Sequence, residues 1–388
     1  MNQKHFEQIR VHCFRRLLSV DLPLKRLNVV IGANGCGKTS LLDVFSLLAS
    51  SATGTLGESI QIMGGIAANM TNLNSIDKPA SMSFDLLQSV PDEKPIEYNI
   101  TLKPQGVDFT FEAEQLSQDR GYPDPFLHIT SNFGNVKYFE SKIAKGLVSP
   151  DWDYDGKHSA LSQVPKMFDE PEAFRKDLAS STHYHVLDVS PKAPVRLPQP
   201  MRNATLPGKD GEDLVSCLYT IRETDADCFE LIESTLRAGF PNFERLNFPP
   251  VAAGTLAMTW KDSTSPHPFY MHQLSEGTLR FLWLVTLLHS PGLTAVTMID
   301  EPEVSLHPEL LAVLADLFRD ASNRTQLIVA THADRLVRFL EPSELIAATI
   351  NEEGATEFQW GDQLDLGSWL EEYSLDQLWQ MGRLGGRS

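Results

Sequence analysis

The period of the apolar positions changes several times along the chain, and each change marks an element. Leu27 to Ile31 is a short, almost wholly apolar run, the pattern of a strand buried on both faces. After a break at 32–39, Leu41, Leu42, Phe45 and Leu48 recur at helical spacing. Upstream, QIRVHCF and LLSVDL read as two short strands joined by Arg15-Arg16. Between 81 and 140 the segments SMSFDLL, IEYNITLK, VDFTFEAEQL, FLHIT and VKYFE alternate and are punctuated by Pro and Gly, which predicts an antiparallel meander. Residues 141–182 are poorly periodic, and 183–200 hold one strand and a proline-rich connector. Helices are expected over 211–222 and 226–238, each opened by acidic residues. FERLNF and TLAMTWKD follow as strands.

The second half is denser in signal. LRFLWLVTLLH is a strongly apolar helix, with Ser275 placed as its N-cap. TAVTMID reads as a fully buried strand ending in Asp300-Glu301. Pro308 suits the first turn of the next helix, where Leu310, Val313, Leu314 and Leu317 line one face. TQLIVA is another buried strand that stops at Thr331-His332, and LIAAT and EFQW complete the series. No internal repeat or sustained heptad is present, so no long coiled coil is expected. The terminal GRLGGRS follows no strand and reads as a flexible end.

At 388 residues the chain exceeds one small core, so a large domain with an insertion, or two domains, is expected. No apolar run approaches the roughly 20 residues of a membrane span. The four cysteines, Cys13, Cys36, Cys217 and Cys228, form no C-x-x-C pair. With no secretory segment read, reduced thiols in a cytoplasm are expected. The net charge of −18 opposes nonspecific nucleic-acid binding by the whole surface. Residues 1–27 nevertheless carry Lys4, Arg10, Arg15, Arg16, Lys25 and Arg26 against Glu7 and Asp21. They form either a local basic edge or a solvated strand face.

Gly32-Ala33-Asn34-Gly35-Cys36-Gly37-Lys38-Thr39 is G-x-x-x-x-G-K-[ST], between a strand and a helix. The glycines let the backbone curl so that its N–H groups point inward as an anion nest. The helix start adds its positive dipole end, with Ser40 in its first turn. Lys38 is placed to reach β- and γ-phosphates, and the Thr39 hydroxyl to ligate Mg²⁺. A glycine-rich turn with a chance Lys-Thr is the bland alternative, and the strand–turn–helix context disfavours it. His183 and His185 form an H-x-H pair. No third ligand is legible nearby, so the pair is read as an ordinary strand face.

The ordered set GANGCGKT, LSEGT, TMIDEPE and ATH resembles the ATP-binding-cassette ATPase superfamily. Within it the chain is similar to the coil-less branch akin to RecF, SMC and the overcoming-lysogenization-defect ATPases. It most resembles bacterial ATPases with a DEPE-x-x-LHP motif and a Gly-Gly-Arg tail. The resemblance implies an α/β P-loop fold with a mixed sheet core, an antiparallel β meander and an inserted helical module. The expected divisions are a first lobe at 1–140, an insertion at 141–239 and a second lobe at 240–388. ATP and Mg²⁺ are the implied ligands. Asp300 would hold Mg²⁺ and Glu301 would be general base. His332 resembles the switch histidine, and Ser275, Glu276 and Gly277 resemble the signature that reaches across a dimer. Gln163, in ALSQ, is the candidate glutamine-loop residue for Mg²⁺ and water. Arg15 and Arg16 lie where related ATPases carry a basic residue near the nucleotide.

Two departures bear on the branch. Glu276 stands where transporter cassettes have Gly, which argues against a transporter. His307, in SLHP, stands where transporter-type chains place an Asp that crosses the dimer. The resemblance implies an ATP-dependent homodimer without a membrane partner, acting in DNA repair or anti-phage defence with a separate nuclease or toxin effector. A RecF-like ATPase that grips DNA directly is the alternative, favoured by the cations of 1–27 and opposed by the net charge.

Overall fold

The structure, a computed structural model, describes residues 4–73, 79–91, 93–140, 145–165, 168–252, 254–364 and 374–382. The tail read as a flexible end, from 383 onward, lies outside them.

β1 (His5–Phe14) and β2 (Leu17–Pro23) form a hairpin, and β3 (Leu27–Gly32) runs into the turn that starts α1 (Lys38–Thr53). Two short helices, α2 (Leu56–Ile62) and α3 (Ile66–Asn69), lead to β4 (Met82–Ser89), β5 (Ile96–Gln105), β6 (Asp108–Gln118), β7 (Phe126–Asn132) and β8 (Asn135–Glu140). Each of these strands pairs antiparallel with the next, as the alternation predicts, and β9 (Gly146–Val148) extends the edge. β1 joins β4, so the opening hairpin and the meander make one eight-stranded sheet. On β4 every second residue is buried.

Beyond it come α4 (Asp169–Ala179), β10 (Thr182–Tyr184), β11 (Gln199–Pro200), α5 (Leu214–Thr224) and α6 (Ala226–Gly239). β12 (Phe243–Asn247), β13 (Pro250–Ala252), β14 (Thr255–Leu256), β15 (Thr259–Asp262) and β16 (Phe269–Tyr270) form two small antiparallel sheets, one of them with β11. The last stretch holds α7 (Glu276–His289), β17 (Val296–Asp300), α8 (Leu310–Ser322), β18 (Gln326–Thr331), α9 (Asp334–Val337), β19 (Leu345–Ile350) and β20 (Thr356–Trp360). Pro308 lies ahead of α8, whose N-cap is Glu309, so that helix starts later than the proline suggested.

The second large sheet has the order β10-β17-β18-β3-β19-β20. Its first five strands are parallel, and β20 is antiparallel to β19. β3 is wholly buried because it lies between β18 and β19. Its side chains alternate between two cores. Val29 and Ile31 face the core shared with α5, α6, α7 and α8. Val30 faces the core shared with α1 and the meander sheet.

This topology changes the reading of 141–239 as an inserted module. Those residues supply β10 to the edge of the parallel sheet, and α4 packs on α1. Tyr184, Leu214 and Ile232 lie in one core with Leu27 and Val329. A parallel sheet is filled by crossovers, so segments distant in sequence interleave in space. α4 itself lies within the stretch whose periodicity was too poor to predict it.

Candidate nucleotide site

The site forms where β3, β17 and β18 end together. The register pairs Ile31 with Thr331 and Asp300 with Ala330, so the phosphate loop, the acidic pair and His332 leave adjacent strands at the same edge. Open parallel sheets bind ligands at this carboxyl edge. Gly35 and Gly37 have φ of 78° and 100°, a region where side chains are strained. Gly37 also has no room for a Cβ, which would press on the Thr356 hydroxyl. Space around Gly35 is open. Ala33, Asn34 and Ser40 complete the turn and the helix start, and Cys36 is buried beneath it.

Lys38 is buried, and its ammonium donates to the Gly32 and Ala33 carbonyls at 2.8 and 3.0 Å. It therefore sits folded into the centre of the loop. The Thr39 hydroxyl donates to Asp300 Oδ2 at 3.2 Å. Burial pushes the Asp300 carboxyl up, and the bond from Thr39 opposes that shift. Glu301 follows at φ 50°, a left-handed conformation that non-glycine residues adopt at a cost of about 1–3 kcal/mol. Its N–H is held by the Ala330 carbonyl at 2.8 Å. Its carboxylate Oε1 lies 3.1 Å from His332 Nδ1.

Glu303 is a residue the sequence reading left without a role. Its side chain is 7% exposed, and its Oε1 accepts from the Thr331 hydroxyl at 2.7 Å and the His332 N–H at 3.2 Å. Burial pushes this carboxyl up as well. Its bonds tie the loop after β17 to the loop after β18. The signal is present as the third acid of DEPE, but nothing in the sequence shows which way it points.

The sequence matches, over residues 27–338, a family described as "AAA domain, putative AbiEii toxin, Type IV TA system". The chain belongs to this family. It is a P-loop ATPase. No curated protein matches it. Among solved structures, the ATPase is similar to an SMC head described as bound to the C-terminal winged-helix domain of ScpA. The TM-score is 0.58 at 12% identity, covering 92% of this chain and 97% of that one. It is also similar to the SMC head with an extended coiled coil bound to the C-terminal domain of ScpA from Pyrococcus furiosus. Here the TM-score is 0.56 at 11% identity, over 95% and 98% of the two chains. A third is the SMC head with a coiled coil and joint from Pyrococcus yayanosii, with a TM-score of 0.53 at 10% identity over 97% and 99%. At these identities the likeness carries the fold alone, which is that of SMC heads.

The phosphate loop of the ATPase fits a nucleotide on its own geometry. The carbonyls that hold Lys38 are partners a polyphosphate would replace, and the open side at Gly35 leaves it room. Thr39 and Asp300 would hold Mg²⁺ between them, supplying charge neutralisation at the β- and γ-phosphates.

Ser275 caps α7 as predicted, its hydroxyl accepting from the Thr278 N–H at 3.1 Å. Ser275 and Glu276 are exposed. Gly277 packs on the Ser305 carbonyl, and Arg280 donates to the Ser305 hydroxyl, so the start of α7 is braced against the loop after Glu301. Among the described residues, no hydrogen bond joins 275–277 to the phosphate loop. His307 is exposed, and its Nδ1 lies 3.6 Å from Glu309.

Gln163 is a correction. It lies in a single 3-10 turn against the far end of α1, where Ser162 abuts Gly54. α1 has 16 residues and is about 24 Å long, which separates Gln163 from Thr39. Its amide is bonded to Asp155, His158 and Ser159 of its own loop. It contacts neither Thr39 nor Asp300, because the residues that reach the edge beside β17 come from β10 instead.

The cations of 1–27 do not form a free basic edge. Lys4 pairs with Asp177, Arg10 with Asp21 and Glu97, Arg15 with Asp43 and Lys25 with Asp362. Arg16 donates to the Gly354 carbonyl at 2.9 Å. The turn carrying Arg15 and Arg16 does adjoin the phosphate loop, since Leu17 lies against Gly37.

Proposed function

We propose that this chain is a cytoplasmic ATPase whose ATP-bound form is a head-to-tail homodimer, and that opening and closing of the dimer controls a separate effector in anti-phage defence or DNA repair. The observation that carries the reading is the division of the site within one chain. Lys38, Thr39, Asp300, Glu301 and His332 gather at one strand edge, while Ser275 and Glu276 are exposed at the start of α7. A signature displayed in this way suits the γ-phosphate of a second molecule, as the resemblance to SMC-type ATPases implies. The family description, with its toxin and toxin–antitoxin system, supports a defence role with a toxin or nuclease partner.

In this reading Lys38 and the loop N–H groups hold the β- and γ-phosphates. Glu301 accepts a proton from the attacking water, which adds to the γ-phosphorus as the bond to the β,γ-bridging oxygen breaks. His332 steadies Glu301 and approaches the γ-phosphate. Direct gripping of DNA is the less favoured reading, because the N-terminal cations are already paired.

The test is complementation between two inactive proteins. Lys38→Ala removes the phosphate-binding cation, and Ser275→Arg blocks the signature. Each alone is expected to lack turnover. In a mixed dimer one site collects both lesions and the other none, so mixing should restore up to about half the activity per mixed dimer if the sites act independently. If hydrolysis needs both sites, ATP should still drive association of differently tagged chains. Neither turnover nor ATP-dependent association on mixing would exclude the composite dimer.

A further inference from the structure

The parallel pairing of β10 with β17 brings together three groups that the sequence keeps far apart. Thr182, His183 and Tyr184 pair with Thr297, Met298 and Ile299, so His185 comes abreast of Asp300. His183 and His185 share one face of β10, with ring centroids 4.1 Å apart. Tyr184 points to the opposite face, against Trp283. One ligand atom from each of His183, His185 and Asp300 lies within 4.8 Å of the others.

The Ser46 hydroxyl donates to the Leu42 carbonyl at 3.1 Å, one turn back along α1. The same oxygen lies 3.2 Å from His183 Nδ1. A Ser46 hydroxyl that donates to Leu42 accepts from Nδ1–H, and in that tautomer Nε2 presents a bare lone pair. His183 is 6% exposed, and Nε2 is buried with no partner. An orienting bond on one imidazole nitrogen and a free lone pair on the other is the usual state of a metal-ligating histidine.

We propose that His183, His185 and Asp300 form a site for one divalent transition-metal ion of the imidazole-favouring kind, with zinc as the type case. Two nitrogens and a carboxylate suit zinc, nickel or cobalt, whereas Mg²⁺ takes oxygen ligands and keeps its water. Zinc holds nitrogen and oxygen ligands at about 2.0–2.2 Å, which brings them closer together than they stand now. The exposed His185 is free to swing inward to close the remaining gap. Three protein ligands leave a position open for water or a phosphate oxygen. Asp300 belongs to both this site and the nucleotide site, so the transition ion would sit directly beside the bound nucleotide. The inference does not depend on ATP binding or on dimerisation.

The experiment is a zinc titration of the full-length, nucleotide-free protein against a chromophoric chelator, with millimolar Mg²⁺ present throughout. Wild type should bind one equivalent with micromolar or tighter affinity. His185→Asn and Asp300→Asn should each weaken that equivalent at least tenfold, and His183→Asn should do the same. Cobalt in place of zinc should give a visible d–d band that is lost in His183→Asn/His185→Asn. His185 is exposed, so His185→Asn tests the site even if replacement of the buried His183 unfolds the chain; circular dichroism checks this. Zinc affinity and stoichiometry unchanged in both His185→Asn and Asp300→Asn would overturn the proposal. So would a wild type with no equivalent that resists millimolar Mg²⁺.

Discussion

His332 Nδ1 lies 3.1 Å from Glu301 Oε1, across the gap between the ends of two neighbouring parallel strands. In the proposed mechanism the contact joins the general base, Glu301, to the histidine that approaches the γ-phosphate. Glu301→Gln should retain nucleotide binding and lose turnover, because an amide cannot take the proton. The expected loss is about 10²–10⁴-fold in kcat. Single-turnover kinetics with calorimetric ATP binding measures both sides. A variant with normal turnover would remove Glu301 from this role.

Glu303 positions rather than reacts. Glu303→Gln keeps a carbonyl oxygen to accept from Thr331 and the His332 N–H, and should cost only a few-fold. Glu303→Ala leaves both donors unpaired and frees the loop after β18. Its kcat should fall roughly 10–100-fold with little change in KM, as expected when a placement error of about an ångström enters the transition state. Equal effects of Gln and Ala would count against this account.

Gly277 has no space for a side chain, because a Cβ would overlap the Ser305 carbonyl oxygen. Gly277→Ala must push the loop after Glu301 away from α7. A loss of about 1–3 kcal/mol is expected from such overpacking. Chemical denaturation should report it, and turnover should drop while nucleotide binding to the phosphate loop persists. Unchanged stability would mean that the loop yields freely.

Glu114 sits fully buried in the meander sheet. It accepts from Tyr98 at 2.9 Å and from the Ala160 and Leu161 N–H groups at 2.6 and 2.9 Å. Burial outweighs these bonds and pushes its carboxyl up to about 7 from an ordinary 4.5. Below pH 4.5 the group is protonated in both folded and unfolded chains and costs nothing. Between about 4.5 and 7 the unfolded chain releases the proton first, so this group's contribution to stability falls as pH rises and then levels off. The fall is about 3 kcal/mol. Urea denaturation from pH 5 to 8 should show it, and Glu114→Gln should lose that slope whatever its absolute stability. A slope unchanged in Glu114→Gln would assign it to other groups.

Local pattern alone determined the elements that carry the nucleotide chemistry. The apolar run before Gly32, the helical spacing after Lys38, the buried runs ending at Asp300 and Thr331 and the cap at Ser275 are each properties of a short window. The strand period of two and the helix period of 3.6 are written into such windows. Tertiary pairing decided what lies beside them. Order along the chain points to Gln163, but its loop folds against the far end of α1. No third ligand for His183 and His185 is legible nearby in the sequence, and Asp300, the third group of the proposed site, is brought beside them by a strand far downstream. Glu303 could be read as an acid but not as an inward one. Parallel strands are joined by long crossovers, so their neighbours in the sheet are never their neighbours in sequence. Which side chains meet at the carboxyl edge is therefore fixed by strand order and register, and those exist only once the sheet has formed.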